Sequence, residues 1–343
     1  MRTAEAVSKG HPDKICDQIS DAILDDILKQ DPDARVAIET MGGHGIITIT
    51  GELTTKAFCY MDRIAKKVYK DLGYDDEIGV QVNVISQSPD ISQGVDTGGA
   101  GDQGIMVGYA CNDNAAMIPQ ELYLARKLIS LVLENKDLGP DAKSQITIND
   151  NEEVSRIVLS VQHKENVEVD EIEEILYNIL KDNKEFIQSD DCEIIVNGTG
   201  KFTVAGFTAD TELTGRKIVQ DAYGPQVAVG GGAFSGKDPS KVDRSAAYMA
   251  RYLAVQVLKK EPYASEAIVK IAYSIGVARP LMVSIEVKDS TGWTKAGEEY
   301  IDEFLAPYDL TPQGIIKFLD LKKPIYQKTA KDGHFGHGFK WDK

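Results

Sequence analysis

One recurring order of patterns constrains this chain more than any other feature: a helix-period run, two β-like runs, a second helix and a short strand. In the first pass Ile15, Ile19, Ile23 and Ile27 recur every four residues with Leu24 and Leu28 alongside, while Asp17, Asp21 and Asp25 fall on the other side. This apolar stripe predicts a helix over 14–29, with Pro12 and Asp13 where a helix start favours them. Strands are expected over 35–40 and 46–53, with Gly42-Gly43 between them, then a helix over 54–72 and an alternating strand through Val80, Val82 and Val84. The order returns as a helix over 119–133, strands over 144–148 and 154–162, a helix over 169–180 and a strand over 193–196. A third pass gives a helix over 244–259, strands over 267–275 and 282–287, and helices over 297–305 and 312–319. The 343 residues thus divide into units of about 114 residues, a repeat of elements rather than of residues. The expected fold is α/β, of the α+β type, with three similar α-β-β-α-β subdomains over 1–98, 99–208 and 209–343, each laying its helices on one sheet face.

Composition narrows the function. With 54 acidic residues against 38 Lys plus Arg, the formal charge is −16, which argues against a broad nucleic-acid surface. No stretch approaches the ~20 apolar residues of a membrane span, and the N-terminus opens without an apolar leader-like region. Cys16, Cys59, Cys111 and Cys192 form no CxxC pair, so neither a zinc site nor a disulfide framework is expected. Reduced thiols in a cytoplasmic protein are the expectation. The acidic stretch 165–193 is expected to be the solvated face of a helix.

Three segments are poor material for ordinary connections. Gly10-His11-Pro12-Asp13-Lys14 sets an imidazole, a carboxylate and an ammonium at a helix N-terminus, where an anion is favoured, and the carboxylate is a hard ligand suited to Mg²⁺. Gln87-Ser88-Pro89-Asp90 is followed by a glycine-rich stretch, 98–104, holding Asp102 and Gln103; its glycine content suits close backbone approach or a lid. From Thr214 to Arg251 six bases (Arg216, Lys217, Lys237, Lys241, Arg244, Arg251) face three acids (Asp221, Asp238, Asp243). That local inversion of charge, with Gly230-Gly231-Gly232, suits a polyphosphate. Gly231 to Lys237 also matches G-x-x-x-x-G-K, but Asp238 follows where a P-loop needs Ser or Thr, and no strand pattern precedes it.

Taken together, the stretches at 10–25 (GHPDKICDQISDAILD), 51–55 (GELTT), 87–95 (QSPDISQGV), 99–110 (GAGDQGIMVGYA), 140–147 (PDAKSQIT), 213–217 (LTGRK), 230–248 (GGGAFSGKDPSKVDRSAAY) and 319–336 (LDLKKPIYQKTAKDGHFG) resemble, in order and over almost the whole chain, the S-adenosylmethionine synthetase family. The sequence departs from that family's pattern at Lys9, where Glu is usual, at Lys201, where Arg is common, and through 206–212.

The resemblance implies three similar subdomains around a pseudo-threefold axis, with sheets packed against a second subunit. It implies synthesis of S-adenosylmethionine from ATP and L-methionine, with tripolyphosphate expelled and then hydrolysed to pyrophosphate and phosphate. The alternative is a relative that kept the fold as a nucleotide-binding or scaffold protein and lost catalysis; it should have lost one of His11, Asp13, Lys143, Lys237 or Asp243, and all are present. By resemblance, His11, Lys143, Arg216 and Lys237 are catalytic. ATP is met by these four together with Asp141, Lys201, Phe202, Asp210, Lys217 and Ala233, and methionine by Glu52, Gln87, Asp102, Asp210 and Lys241. Asp13 and Asp243 are the implied ligands of two Mg²⁺ ions and Glu39 that of K⁺. The implied partners are the two substrates and a second copy of the chain, as a homodimer or a dimer of dimers with shared active sites. Neither nucleic acid nor membrane is implied.

Overall fold

The computed structural model describes residues 1–86 and 98–343. Its first segment contains β1 (Arg2–Val7), α1 (Pro12–Gln30), β2 (Arg35–Gly43), β3 (Ile46–Thr54), α2 (Met61–Asp71) and β4 (Gly79–Ile85). The second contains β5 (Gly104–Cys111), α3 (Gln120–Val132), β6 (Leu138–Ile148), β7 (Val154–His163), α4 (Val169–Asp182) and β8 (Gln188–Val196). The third begins with three short pieces, α5 (Gly206–Ala209), β9 (Glu212–Leu213) and α6 (Ile218–Asp221). It continues through α7 (Val242–Lys260), β10 (Glu266–Tyr273), β11 (Met282–Asp289), β12 (Gly292–Lys295), α8 (Glu298–Leu305), α9 (Pro312–Leu319) and α10 (Tyr326–Thr329). Among these helices none is long and apolar enough to cross a membrane.

The strands form three four-stranded sheets, ordered β4-β3-β2-β9, β1-β6-β7-β8 and β12-β11-β10-β5. Each sheet is completed by a strand from another segment. β1 of the first segment lies antiparallel on β6, β5 of the second on β10, and β9 of the third on β2. The exchange closes on itself, as a threefold arrangement of similar units requires.

The structure differs from the sequence reading at definite places. β3 runs through Thr54 and α2 starts at Met61, because Asp31 pins the intervening loop by accepting from Thr55 Oγ1 at 2.8 Å and Lys56 N at 2.9 Å. The third unit carries its fourth strand before its last helices. β12 returns on β11 through a turn in which Asp289 accepts from Thr291 N at 2.7 Å. The acids of α4 lie in solvent, with Ile172, Leu176 and Leu180 buried beneath.

The least expected feature is the burial of α1. Beyond the apolar stripe, its aspartate side is buried too: sixteen of its nineteen residues are buried. Asp17, Asp21 and Asp25 are among them, and each is bound by the third segment. Asp17 accepts from Gly215 N (2.8 Å) and from the buried Lys14, which also bonds both Asp221 oxygens at 2.7 Å. Asp21 accepts from Gly236 N (2.8 Å) and from both Arg244 terminal nitrogens at 2.7 Å. Asp25 accepts from Tyr326 N (2.9 Å) and Gln327 N (3.0 Å). Burying a carboxylate is tolerable only with donors or a counter-charge supplied in this way.

Asp21 and Arg244 both have fully buried side chains. Asp21→Ala leaves the guanidinium uncompensated and is expected to destabilise the protein by about 3–5 kcal/mol. Denaturant unfolding followed by circular dichroism measures this.

Candidate active site

The site grows from one edge of β2. β3 takes one side of that strand. The other side receives β9 opposite Met41 and Gly42, and the loop 236–238 opposite Val36 to Ile38. Asp238 N donates to Val36 O and Ile38 N to Gly236 O, both at 3.0 Å. Gly236 has φ +81° and packs so closely on Ile38 O that any side chain would collide with it. The basic stretch after β9 and the glycine-rich loop therefore hang from a single strand, and they touch where Gly215 meets Ala233. No strand leads into Gly231 and α7 opens five residues after Lys237, which disposes of the P-loop reading.

One cluster surrounds the start of α1. His11 is the helix N-cap, and its Nδ1 accepts from Asp13 N at 3.2 Å. Burial, reinforced by the Lys217 charge, pulls its pKa down to about 4. The imidazole is therefore neutral at pH 7, and the acceptor role of Nδ1 assigns the proton to Nε2. Asp13 Oδ1 accepts from Leu213 N at 3.1 Å, its Oδ2 is paired with Lys217, and Arg216 Nε approaches to 3.9 Å. Burial acts to raise the Asp13 pKa, but hydrogen bonds from Glu212 and Lys217 outweigh it and hold it below the ordinary range. Burial and the Asp13 carboxylate push Glu212 up to about 7. Lys143 Nζ pairs with Glu5 at 2.7 Å across the β1–β6 register. Glu5, Lys143, Arg216 and Lys217 line an open cleft of about 470 Å³.

A second cluster lies beside the glycine-rich loop. Lys237 Nζ is 2.5 Å from Asp243 Oδ2, and Gly232 N donates to Asp243 Oδ1 at 3.3 Å. Gly104, at the start of β5, also approaches Asp243, which brings the exposed Asp102 to the same neighbourhood. The stretch between them and the rest of the chain is held by Ala100, which bonds Val277 and Gly276 through the backbone.

The remaining candidates are spread more widely. Asp141 is buried near the first cluster. Burial pushes its pKa up to about 7, with the Asp210 charge adding and the Gly206 N–H and Lys217 opposing. Phe202 is half-buried and fixed against His163, whose Nε2 accepts from Phe202 N at 3.0 Å; Lys201 beside it is exposed. Ala233 is half-buried at the turn facing Gly215. Glu39 and Glu52 stand exposed on β2 and β3, and neither makes an ion pair among the described residues. Lys241 is paired with Asp238, which also holds Val36 N at 2.7 Å. Gln87 lies outside the described residues. Glu5 and Glu212, which face the basic side chains, were not singled out from the sequence; an acid immediately before a basic run was the available signal for Glu212.

Among the described residues no group of three or more His, Cys, Asp and Glu gathers as a ready metal cage. Asp13, with the Glu212 carboxyl against it, and Asp243 each stand beside a lysine instead. That donor set fits Mg²⁺, which binds through one or two carboxylates together with waters and phosphate oxygens.

Comparison with known proteins gives three consecutive family matches: the N-terminal domain of S-adenosylmethionine synthetase over residues 1–93, its central domain over 97–202 and its C-terminal domain over 204–343. The chain is 44% identical to the S-adenosylmethionine synthase of Wolinella succinogenes, over 99% of this chain and 95% of the relative. The same coverage holds for that of Helicobacter hepaticus, at 44%, and that of Treponema denticola, at 42%.

Asp141 supplies a pH test. Its folded pKa, about 7, lies above the ordinary carboxyl value of 3.8, so the folded state keeps a proton that the unfolded chain has lost. Its contribution is fully present below pH 3.8 and declines until pH passes about 7. Asn does not titrate. The melting temperature of Asp141→Asn, relative to the parent protein, is therefore expected to rise between pH 4 and pH 8.

Proposed function

The chain belongs to the S-adenosylmethionine synthetase family, and we propose that its two lysine–carboxylate clusters are parts of the site at which it makes S-adenosylmethionine from ATP and L-methionine. The observation that carries this assignment is the matching of charges. Lys217, Lys237 and Lys143 each rest on a carboxylate, and two of those carboxylates, Asp13 and Asp243, are the candidate Mg²⁺ ligands. A magnesium polyphosphate offers each member of such a pair a new partner: phosphate oxygens for the lysine and the metal for the carboxylate.

The chemistry explains what the site needs. A thioether sulfur attacking ribose C5′ is a neutral nucleophile with no proton to remove. The step requires alignment of sulfur, carbon and leaving oxygen, and stabilisation of the departing triphosphate. His11 contributes a neutral Nε2–H donor aimed at the leaving oxygen. Lys143, Arg216, Lys217 and Lys237 bind the phosphate oxygens, while Asp141, Asp210 and Ala233 complete the ATP contacts. Phe202 stacks on adenine beside Lys201. Glu52, Gln87, Asp102, Asp210 and Lys241 hold methionine, and their carboxylates favour the sulfonium product. When bound at Asp13 and Asp243, Mg²⁺ neutralises phosphate charge; Glu39 is the K⁺ ligand. The released tripolyphosphate is then hydrolysed to pyrophosphate and phosphate.

The first sheet supports a homodimer or dimer of dimers. Ile85 on β4 is 64% exposed and, opposite Glu52 in the register, shares one exposed face of that sheet with Glu52 and Glu39. A second copy covering it sheet to sheet would bury more than about 2,000 Å² in total and would bring the two clusters of different chains to one ligand. The protein works in the cytoplasm in this reading.

Three measurements test it. With ATP, methionine, Mg²⁺ and K⁺, one pyrophosphate and one phosphate are expected per sulfonium product; accumulation of free tripolyphosphate would contradict the coupled second step. Lys237→Ala is expected to cost on the order of 2–4 kcal/mol of transition-state stabilisation, read from kcat/KM with an unchanged circular dichroism spectrum. Lys217→Ala and Lys237→Ala, each inactive and refolded together, are expected to recover a fraction of parental activity, because some heterodimers regain one intact site. A mixture as inactive as its parents, while the parental protein refolds well, assigns both lysines to the same chain's half of the site.

A further inference from the structure

A second cleft, of about 680 Å³, lies between α3 and the C-terminal segment 331–337. Its volume falls in the range of small-ligand sites, and its lining shares no residue with the cleft of Lys143, Arg216 and Lys217. From this cleft we infer a second ligand site, for a small organic anion made of a carboxylate or phosphate head and a flat apolar body.

The charges argue for the head. Arg126 lines the cleft and is anchored only to neutral atoms: Nη1 donates to Phe335 O at 2.8 Å, Nη2 to Gln220 O at 2.6 Å and to Ala222 O at 3.3 Å, and Nη1 also meets the His337 ring at 3.4 Å. Its Nε is sealed from solvent without a hydrogen-bond partner among the described residues, and no carboxylate there forms an ion pair with it. Asp221, Asp332 and Asp342 lie near enough to oppose its desolvation, but burial prevails and draws its pKa down to about 10. A cation so placed gains from a mobile counter-ion. Lys9 and Lys331 stand on the same lining, and neither ammonium has a hydrogen bond or ion pair among the described residues. Lys127 is engaged by Glu185, while Glu134 and Asp332 are the acids of the lining. The four cations against two acids reverse the sign of a chain whose net charge is −16.

The helix argues for the body. Leu133, half-buried just past the end of α3, and Tyr123 present an apolar strip to the cleft, backed by the buried Ile129. An inorganic ion alone would leave that strip wet.

Titration calorimetry of the full-length protein with benzoate, phenyl phosphate and inorganic phosphate tests the site and separates the two kinds of head. One saturable site per chain is expected for benzoate or phenyl phosphate, with Kd below about 1 mM, and inorganic phosphate binding at least tenfold more weakly. Lys331→Glu and Leu133→Ser should each weaken the favoured probe at least tenfold while leaving S-adenosylmethionine synthesis unchanged. Lys217→Ala, which alters the candidate active site, should leave the probe's Kd unchanged. Loss of binding in Lys217→Ala, equal binding in the two cleft variants, equal affinity for inorganic phosphate, or no saturable binding overturns the assignment. The proposed catalytic reading stands or falls separately, on the product stoichiometry.

Discussion

The structure depends on a ladder of buried carboxylates along α1. Asp13, Asp17, Asp21 and Asp25 follow one another at four-residue intervals, about 6 Å of helix rise each. Each accepts a backbone N–H from the third segment: Leu213, Gly215, Gly236, and Tyr326 with Gln327. Hydrophobic contact would leave the approach of these loops free to slide, whereas a hydrogen bond to a fixed carboxylate does not. The helix acts as a ruler against which the basic stretch after β9, the glycine-rich loop and α10 are set at defined heights. A missing rung leaves a buried polar group unpaired, at a cost of about 1–3 kcal/mol, more where the partner is charged.

The exchanged strands make the same coupling at the scale of whole units. Because β9 completes the sheet of β2, the stretch carrying Arg216 and Lys217 cannot be placed until the first and third segments have met. Because β1 completes the sheet of β6, Glu5 and Lys143 face each other across a seam between the first and second segments. The cleft they share with Lys217 is thus a product of assembly, and contacts far apart in the chain must form before it exists.

Strong periodicity made much of this legible. The helix expected over 312–319 is the α9 observed, because Thr311 caps it and Pro312 opens it, and the ends of α3 and α7 lie within about two residues of expectation. β5 was not read as a strand: it is buried on nearly every residue, so its apolar run has no alternation to display. β9 and β12 are too short to leave a pattern, though β9 closes a sheet. The aspartates of α1 are a related case. Spacing says that they share a face, but whether that face meets water or another part of the chain depends on donors about 200 residues away. The residues proposed for the site stand in motifs; their partners Glu5 and Glu212 belong to no motif and leave no such signal.

The inversion of charge between Thr214 and Arg251 shows what such a count can and cannot mean. Of its six cations, Arg244 is spent on Asp21 and Arg251 on Asp342 and the carbonyl oxygens of Tyr109, Met117 and Ala116. Lys241 holds Asp238 at the edge of β2. The two arginines stabilise the framework, while Lys241, 16% exposed and so as accessible as Lys217, is proposed to meet methionine rather than phosphate. Arg216, Lys217 and Lys237 remain partly accessible, with side chains 53%, 17% and 23% exposed, and they sit on the two loops that the ladder and β2 fix in place. A basic count alone therefore overstates the positive charge available to a polyanion by about a factor of two. The arrangement nevertheless needs all six, because the buried arginines position the backbone from which the accessible cations project, and a preorganised charge does not have to be gathered when the leaving group departs.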